Sequence, residues 1–119
     1  MNDDVVSFLP LSPAILHILL ALAGEERHGY AIMQEVARQS DGQYKLGPGT
    51  LYDNLQKLVN HDMVEESSRR SAADDDPRRR YYRLTPFGRR VLTAEIARLE
   101  SVIREARAHL RIPSARRAT

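Results

Sequence analysis

The sequence predicts a mainly α-helical fold with a small β hairpin, in the α+β class. Two pairs, Ser12-Pro13 and Thr85-Pro86, combine a residue that caps a helix with a proline suited to the first helical turn. Between them lie two shorter helical patterns and three β-prone runs, and after Thr85 apolar residues recur at helical spacing as far as Leu110. Helices should therefore dominate, with one pair of strands late in the chain.

The composition is typical of one globular domain. The 119 residues are 42% hydrophobic and 29% charged, unlike the composition of a disordered chain. No cysteine is present, which excludes disulfides, thiolate catalysis and cysteine zinc sites. The most apolar run, residues 9–23, is shorter than the roughly 20 apolar residues of a membrane span. With no basic leader or cleavage site visible, we expect a cytoplasmic protein.

The positive charge is concentrated in one segment. The formal net charge is only +2, yet residues 69–90 contain eight arginines and three aspartates. Such asymmetry indicates a patch directed at a polyanion. The alternative is an ordinary solvated surface.

The first two helices follow from caps and apolar spacing. Ser12-Pro13 begins the first helix, whose apolar residues cover most of the circumference, so it should be largely buried, and Gly24 ends it. His28 orders the start of the second helix, which ends near Asp41-Gly42. Its expected inward side is formed by Tyr30, Met33, Val36 and Ala37.

A third helix should run from Thr50 to about His61, after a short strand at residues 43–46 and a tight Gly-Pro-Gly entry at residues 47–49. Leu51, Leu55 and Leu58 are spaced by four and three and define the inward stripe. The predicted outward face consists of Thr50, Asp53, Asn54 and Lys57, with Tyr52 at its margin.

Two strands are expected next, at residues 63–66 and 80–84, joined by a turn that holds Asp74 to Asp76 and Pro77. Such a hairpin would bring Arg69 and Arg70 close to Arg78, Arg79 and Arg80. Tyr81 and Tyr82 must point to opposite sides of their strand. The three aspartates either limit indiscriminate binding to a polyanion or only keep the turn hydrated.

The last helix begins at Thr85-Pro86 and ends at Pro113. Its apolar residues keep the 3.5-residue spacing that lets one helix lie along another. We therefore predict a two-fold dimer in which this helix packs near the first helix of the partner. The predicted contacts are Leu92, Ile96, Leu99, Ile103, Ala106 and Leu110.

This order of elements is the plan of a winged helix-turn-helix in residues 1–85, followed by a dimerisation helix in residues 86–112 and a flexible tail in residues 113–119. In that plan the third helix enters the major groove of DNA, and the hairpin, or wing, lies over the backbone or minor groove. A winged helix used only for protein contacts is the alternative. The predicted DNA contacts are Thr50, Tyr52, Asp53, Asn54, Lys57, Arg78, Arg79 and Arg80.

No catalytic or metal-binding pattern is visible. The four histidines are scattered without metal-ligand spacing, and no serine lies in a nucleophile elbow. The consecutive aspartates lack the ligand spacing of a calcium loop. His17, within an apolar helix, fits a satisfied core residue better than a ligand. We expect neither an enzyme nor a cofactor.

Three blocks of sequence resemble the motifs of PadR-like transcriptional regulators. They are HGYAI at residues 28–32, GPGTLYDNLQKLV at 47–59 and RRYYRLTPFGRRVL at 79–92. The resemblance covers about residues 11–110. The short chain with one C-terminal helix is similar to the smaller subgroup of that family.

The resemblance implies a dimeric bacterial repressor that a small aromatic or drug-like effector releases from DNA. From the predicted two-fold symmetry we expect an inverted-repeat operator in double-stranded DNA, and regulation would follow if the effector bound between the dimer helices. Phe8, Leu9, Leu16 and Leu99 could line such a site, although each is equally explained as core. One departure is Asp62, where the family usually has glycine; Asp can still adopt the left-handed conformation that this turn requires.

Overall fold

The computed structural model describes residues 5–67 and 80–113, which form four helices and a small antiparallel sheet. The predicted α+β class is therefore confirmed. In chain order, the elements are α1 (Pro13–Ala23), β1 (Arg27–His28), α2 (Gly29–Gln39), α3 (Pro48–Asn60), β2 (Val64–Ser67), β3 (Tyr81–Leu84) and α4 (Pro86–Leu110).

Side-chain caps begin three of the four helices. The Ser12 hydroxyl accepts a hydrogen bond from the Ile15 amide at 3.3 Å, and the Thr85 hydroxyl accepts one from the Gly88 amide at 2.9 Å. His28 caps α2 through Nδ1, which accepts from the Ala31 amide at 3.3 Å. Each cap satisfies an amide that has no partner within its helix. These three predicted helix starts are confirmed, whereas α3 begins at Pro48, two residues before the predicted start at Thr50.

The sheet has the order β1-β3-β2, with antiparallel pairing throughout. Val64 opposes Leu84 and Ser67 opposes Tyr81, so the two strands predicted late in the chain do pair with each other. The third strand is a two-residue segment in which Arg27 opposes Tyr82. The sequence pattern did not predict it.

Residues 43–46 do not form the predicted strand. The Ser40 hydroxyl accepts from the Tyr44 amide at 3.0 Å and also donates toward the Tyr44 and Val36 carbonyls. These bonds hold the segment as a loop that extends the end of α2. The prediction of a strand here is wrong because a local side chain satisfies the backbone groups that a strand would have paired.

The core is built around α1, which contacts α2, α3, α4 and β3. Ile18, Leu19 and Leu22 of α1 are fully buried, whereas Leu20 is exposed. From α3 come Leu51, Leu55 and Leu58, as predicted. Burial of these large apolar side chains is the main force that fixes α3 on the domain.

The predicted inward side of α2 is partly wrong. The buried residues are Gly29, Ile32 and Val36, while Tyr30 is 62% exposed. Tyr30 was expected inside because it is aromatic and lies near one helical spacing from Met33. Its exposure makes it available to a partner instead.

The turn after α3 keeps the left-handed geometry expected of Asp62, whose φ is 62°. The hydroxyl of Thr85 donates to the Asp62 carbonyl, and the Thr85 amide donates to the Met63 carbonyl at 3.1 Å. Gly88 packs directly on Met63, where any Cβ would overlap the carbonyl oxygen. The end of α3 and the start of α4 are thus locked together.

The two halves of α4 have different environments. Val91, Leu92 and Glu95 are buried in the core of the chain. Leu92, predicted as the first dimerisation contact, is only 6% exposed, so its side chain is already covered within the chain. We call the remaining predicted contacts the α4 stripe: Ile96, Leu99, Ile103, Ala106 and Leu110.

Most of the α4 stripe is open to solvent. Ile103 is 50% exposed and Leu110 is 67% exposed, and Val102 beside them is exposed as well. Leu99, by contrast, is half-buried. A row of large apolar side chains at helical spacing is therefore left uncovered by the described part of the chain.

Glu95 is a buried acid that the sequence pattern did not identify. Its side chain is 1% exposed. The carboxylate accepts from Arg98 Nε at 2.6 Å and from the backbone amide of Leu11 at 3.0 Å. The hydrogen bond from Arg98, assisted by that from Leu11, holds the pKa of Glu95 below its ordinary value. This residue ties the N-terminal segment to α4.

Candidate nucleic-acid interface

The outward side of α3 is polar and accessible. Thr50, Asp53 and Lys57 are exposed, and Asn54 is half-buried. With Leu51, Leu55 and Leu58 buried, α3 is anchored by one side while the other side faces solvent. The structure therefore brings the four predicted α3 residues onto one accessible surface.

Asn54 is restrained by its own helix. Its Nδ2 donates to the Thr50 carbonyl at 2.9 Å. An asparagine that pairs with adenine uses both the oxygen and the nitrogen of its amide. Asn54 would have to rotate its terminal torsion, giving up the bond to Thr50, to make that pair.

The middle of the exposed side of α3 contains two residues, Gln56 and Asn60, that were not among the predicted DNA contacts. At 3.6 residues per turn, the positions opposite the buried leucine stripe are Asp53, Gln56 and Asn60. All three are exposed, and Gln56 Nε2 donates to Asn60 Oδ1 at 3.1 Å. A helical wheel centred opposite the leucines would have included Gln56 and Asn60.

Tyr52 lies where α3 meets the start of α2. Its side chain is 48% exposed, and its hydroxyl occupies the space where a Cβ of residue 29 would be, so Gly29 is required for this contact. Tyr30, the next residue, is also exposed. Two tyrosines therefore stand beside the N-terminal end of α2, which carries a partial positive charge.

The hairpin of β2 and β3, which we call the wing, lies next to α3. Tyr82 is buried beneath it and Tyr81 is only half-buried, as the alternation predicts. Burial, followed by the charge of Glu66, raises the pKa of the Tyr82 hydroxyl, which therefore stays neutral. Tyr82 thus anchors the wing against the body of the domain.

Arginine–carboxylate pairs occupy both faces of the wing. Arg80 Nη1 lies 3.3 Å from Glu66 Oε2, and Arg83 Nε lies 2.8 Å from Glu65 Oε2. Arg80, a predicted DNA contact, is exposed. The other predicted wing residues lie outside the described residues: Arg69, Arg70, Asp74, Asp75, Asp76, Pro77, Arg78 and Arg79.

A groove of about 300 Å³ separates α3 from the wing. Its walls include Tyr52 and Gln56 from α3 and Glu66, Arg80 and Tyr82 from the wing. The α3 surface and the described part of the wing therefore border one groove.

A second cleft, of about 220 Å³, lies at the other edge of α3. Phe8, Leu11 and Ile15 form its apolar wall, and Lys57 and His61 of the α3 end form its rim. The Phe8 ring packs edge-on against His61 with centroids 5.2 Å apart. Of the four suggested effector residues, only Phe8 lines this cleft.

His17 is half-buried at the edge of the core, where its ring and backbone have partners, so only part of the expectation of a satisfied core residue is met. It stacks on Tyr44 with centroids 5.0 Å apart, and its backbone carbonyl accepts from Gln39 Nε2 at 2.8 Å. Within residues 5–67 and 80–113, no three His, Asp or Glu side chains are grouped so that they could hold a metal ion. Across the same residues, every helix is too short or too polar to cross a bilayer.

Comparison with known proteins assigns the family. Residues 15–94, more than half of the chain, match the model of the Transcriptional regulator PadR-like family. The transcriptional regulator Rv3488 of Mycobacterium tuberculosis H37Rv is 39% identical over 90 residues, which cover 76% of this chain and 78% of that protein.

Two solved structures show the same architecture. A PadR-like transcription factor from Bacteroides fragilis has 27% identity and a TM-score of 0.61, with 81% of this chain and 87% of that chain covered. A transcriptional regulator from Clostridium thermocellum has 20% identity and a TM-score of 0.66, with 91% and 95% covered, and supports the fold alone. This chain belongs to the PadR-like family of transcriptional regulators.

Proposed function

We propose that this regulator is a sequence-specific double-stranded DNA-binding protein that acts as a dimeric repressor. The observation that carries the proposal is the polar, exposed side of α3 lying beside the wing, across one groove. In a winged helix-turn-helix those two elements meet the duplex together. We accordingly infer a cytoplasmic location, where a bacterial chromosome lies.

Within this proposal, α3 reads base pairs. Thr50, Asp53 and Asn54 are assigned to base edges in the major groove, and Gln56 joins them because it lies nearer the centre of the exposed face. Side-chain amides pair with adenine, and Asp accepts from cytosine. Lys57, whose ammonium group suits a phosphate oxygen, is assigned to the DNA backbone.

The remaining contacts position the duplex. Tyr52 has its hydroxyl beside the N-terminal end of α2 and is assigned to a phosphate. Arg80, together with Arg78 and Arg79, is assigned to the backbone along the wing. Each phosphate neutralised by such groups releases counterions and makes binding dependent on salt.

Dimerisation is proposed through the α4 stripe, so that residues 1–85 act as the DNA-binding unit, residues 86–112 as the dimerisation helix and residues 113–119 as a tail. The exposed apolar side chains from Ile96 to Leu110 support this division, since the described part of the chain does not cover them. A two-fold axis would place two α3 helices about 34 Å apart, in successive major grooves. The operator would then be an inverted repeat.

An effector, in this proposal, is a small aromatic or drug-like molecule that favours a dimer unable to span both grooves. The cleft at Phe8, Leu11 and Ile15 supports a site at the edge of α3, because Lys57 lies on its rim. A ligand that draws Lys57 into the cleft would remove it from DNA. Release requires the ligand to bind the DNA-free form more tightly than the DNA-bound form.

The test is binding as a function of salt. Duplexes retained by the purified protein from a random-sequence pool should share an inverted repeat. For the selected duplex, the logarithm of affinity should fall with the logarithm of salt concentration by about 0.9 per phosphate contacted. Failure to enrich any sequence, together with a weak response to salt, would favour a winged helix used for protein contacts.

A further inference from the structure

The described part of the wing carries one charged pair on each of its faces. Neighbouring residues of a strand point to opposite faces, so Glu66 shares a face with its cross-strand partner Tyr82, and Glu65 shares the other with Arg83. Arg80, two residues before Tyr82, lies on the Tyr82 face and pairs with Glu66. Both pairs join an arginine to a glutamate, and they lie on opposite faces of the wing.

Only one of these two pairs is turned toward α3. Glu66 and Arg80 line the groove that also contains Tyr52 and Gln56. Arg83 lines a separate recess on the far side of the wing, with Glu25 and Arg89. The Glu66–Arg80 pair therefore borders the proposed DNA surface, whereas the Glu65–Arg83 pair faces away from it.

Folding stability does not account for the Glu66–Arg80 pair. The side chains of Glu66 and Arg80 are 50% and 69% exposed, and an ion pair this exposed contributes little to stability. A carboxylate at this position also repels phosphates and occupies an arginine that DNA could use. The Glu66–Arg80 pair is therefore expected to act on DNA binding rather than on folding stability.

We propose that Glu66 is a specificity-determining residue that keeps Arg80 from phosphate until α3 is correctly docked on its base pairs. This inference rests on the proposed function. On unrelated DNA, a phosphate approaches Arg80 only transiently and therefore competes poorly with the carboxylate of Glu66. On the operator, base contacts hold one phosphate beside Arg80, and that phosphate displaces Glu66.

The test uses the full chain with Glu66→Gln, Glu65→Gln as the matched control, and two duplexes. One duplex is selected by the wild-type protein from a random pool, and the other has the same composition with scrambled half-sites. Glu66→Gln should tighten binding to the scrambled duplex about threefold to tenfold and to the selected duplex less, so that the ratio of affinities falls. Glu65→Gln, with the same charge change on the far face, should leave the ratio near the wild-type value.

A second comparison shows whether Glu66 acts through Arg80. In an Arg80→Gln background, adding Glu66→Gln should no longer change the affinity ratio. An effect that persists without Arg80, or equal changes from Glu65→Gln and Glu66→Gln, would overturn the inference while leaving operator binding intact. A wild-type protein that prefers no sequence would instead refute the proposed function, and this inference with it.

Discussion

The chain exposes two large surfaces of opposite character, the outward side of α3 and the distal half of α4. The α3 surface presents hydroxyl, amide and charged groups such as Thr50, Gln56 and Lys57, over a helix held by fully buried leucines. The α4 surface presents large apolar side chains, including Ile103 and Leu110, beyond the point where the core ends. Both lie on amphipathic helices. The apolar side of α3 is buried, whereas the apolar side of the distal half of α4 is exposed.

This difference indicates two kinds of partner. A polar face fixed on a rigid helix suits the hydrogen-bonding edges of base pairs. An uncovered apolar row suits another apolar surface, and a second copy of the chain supplies one with matching symmetry. Changes in α3 should therefore alter DNA affinity and salt dependence, while changes in the α4 stripe should alter the dependence on protein concentration.

The largest effect is expected from the apolar surface. Ile103→Glu places a charge in the α4 stripe, and burying an unpaired charge strongly disfavours a dimer. Affinity for a two-half-site operator should fall at least about 100-fold, because the second half-site no longer adds to the first. Sedimentation velocity should show a monomer, and circular dichroism should show that the helical content of the domain is kept.

Ser101→Glu is the control for this change. It adds the same charge at an exposed position on α4 outside the stripe. It should leave both the dimer and the operator affinity intact. If Ser101→Glu and Ile103→Glu behaved alike, the contrast between the two surfaces would not hold.

The next effect concerns base reading by α3. Asn54→Ala should lower operator affinity about 30-fold over the two half-sites, because each lost pairing counts only about 1 kcal/mol, the lower end for a bidentate base contact, once Asn54 has given up its bond to Thr50. Affinity for scrambled DNA should change much less. Affinities should also be measured for operators with single base-pair changes. At one position in each half-site, such a change should lower the affinity of the wild type but not that of the variant.

A smaller effect is expected from Lys57, assigned to a phosphate. Lys57→Gln should weaken binding to every duplex by a similar factor and make the salt slope shallower by about 0.9 for each phosphate that is no longer neutralised. Arg104→Gln removes the same charge from an exposed position on α4. An equal change in slope for both variants would show that Lys57 contributes only to net charge.

The smallest effect is on stability, at the junction of α4 with the core. Because the folded pKa of Glu95 is lowered, its carboxylate stabilises the fold above the ordinary carboxyl pKa, and this contribution is lost as pH falls through the lowered value. Glu95→Gln should cost about 1 kcal/mol at neutral pH, from the weakened bonds to Arg98 and Leu11, and less in acid. Urea unfolding at a series of pH values measures this.

Glu100→Gln, at an exposed position further along α4, should show almost no loss of stability at any pH. The Glu95 account fails if the loss from Glu95→Gln is the same in acid as at neutral pH. Operator affinity at neutral pH should remain close to wild type in both variants, since the α3 surface is not touched.

Much of the fold was predictable because short-range chemistry decides it. Ser12-Pro13 and Thr85-Pro86 mark helix starts whatever surrounds them, and the leucine spacing of α3 has a single inward face. The left-handed turn at Asp62 was expected from the resemblance, since the family usually has glycine there and Asp tolerates the same conformation. Such features need no knowledge of the tertiary structure.

What was missed depends on contacts between distant parts of the chain. A two-residue strand such as β1 has no pattern of its own and is defined only by β3. The apolar residues of α4 keep the same spacing before and after Ile96. This spacing therefore does not show which of them are buried within the chain and which are exposed. Glu95 is buried because Leu11 and Arg98 satisfy it, which its polar character does not suggest.

The four site residues predicted on the outward face of α3 lie on its accessible side, and their contact with DNA stays a prediction. The predicted face, with Thr50 and Asn54, extends toward one edge of the exposed side of α3, whereas the buried leucines place the centre of that side between Asp53 and Asn60. Tyr30 was placed on the inward side of α2 from its helical spacing to Met33, yet it is 62% exposed. The positions of the buried leucines therefore define the centre of the exposed side of α3.

The most direct test of the central claim is a photocross-linking amino acid placed at Gln56 of α3 and, separately, at the exposed Glu100 of α4. With the selected duplex, irradiation should join residue 56 to defined bases within each half-site and give no adduct from residue 100. Absence of an adduct at residue 56, while the duplex remains bound, would contradict the proposal that α3 reads DNA.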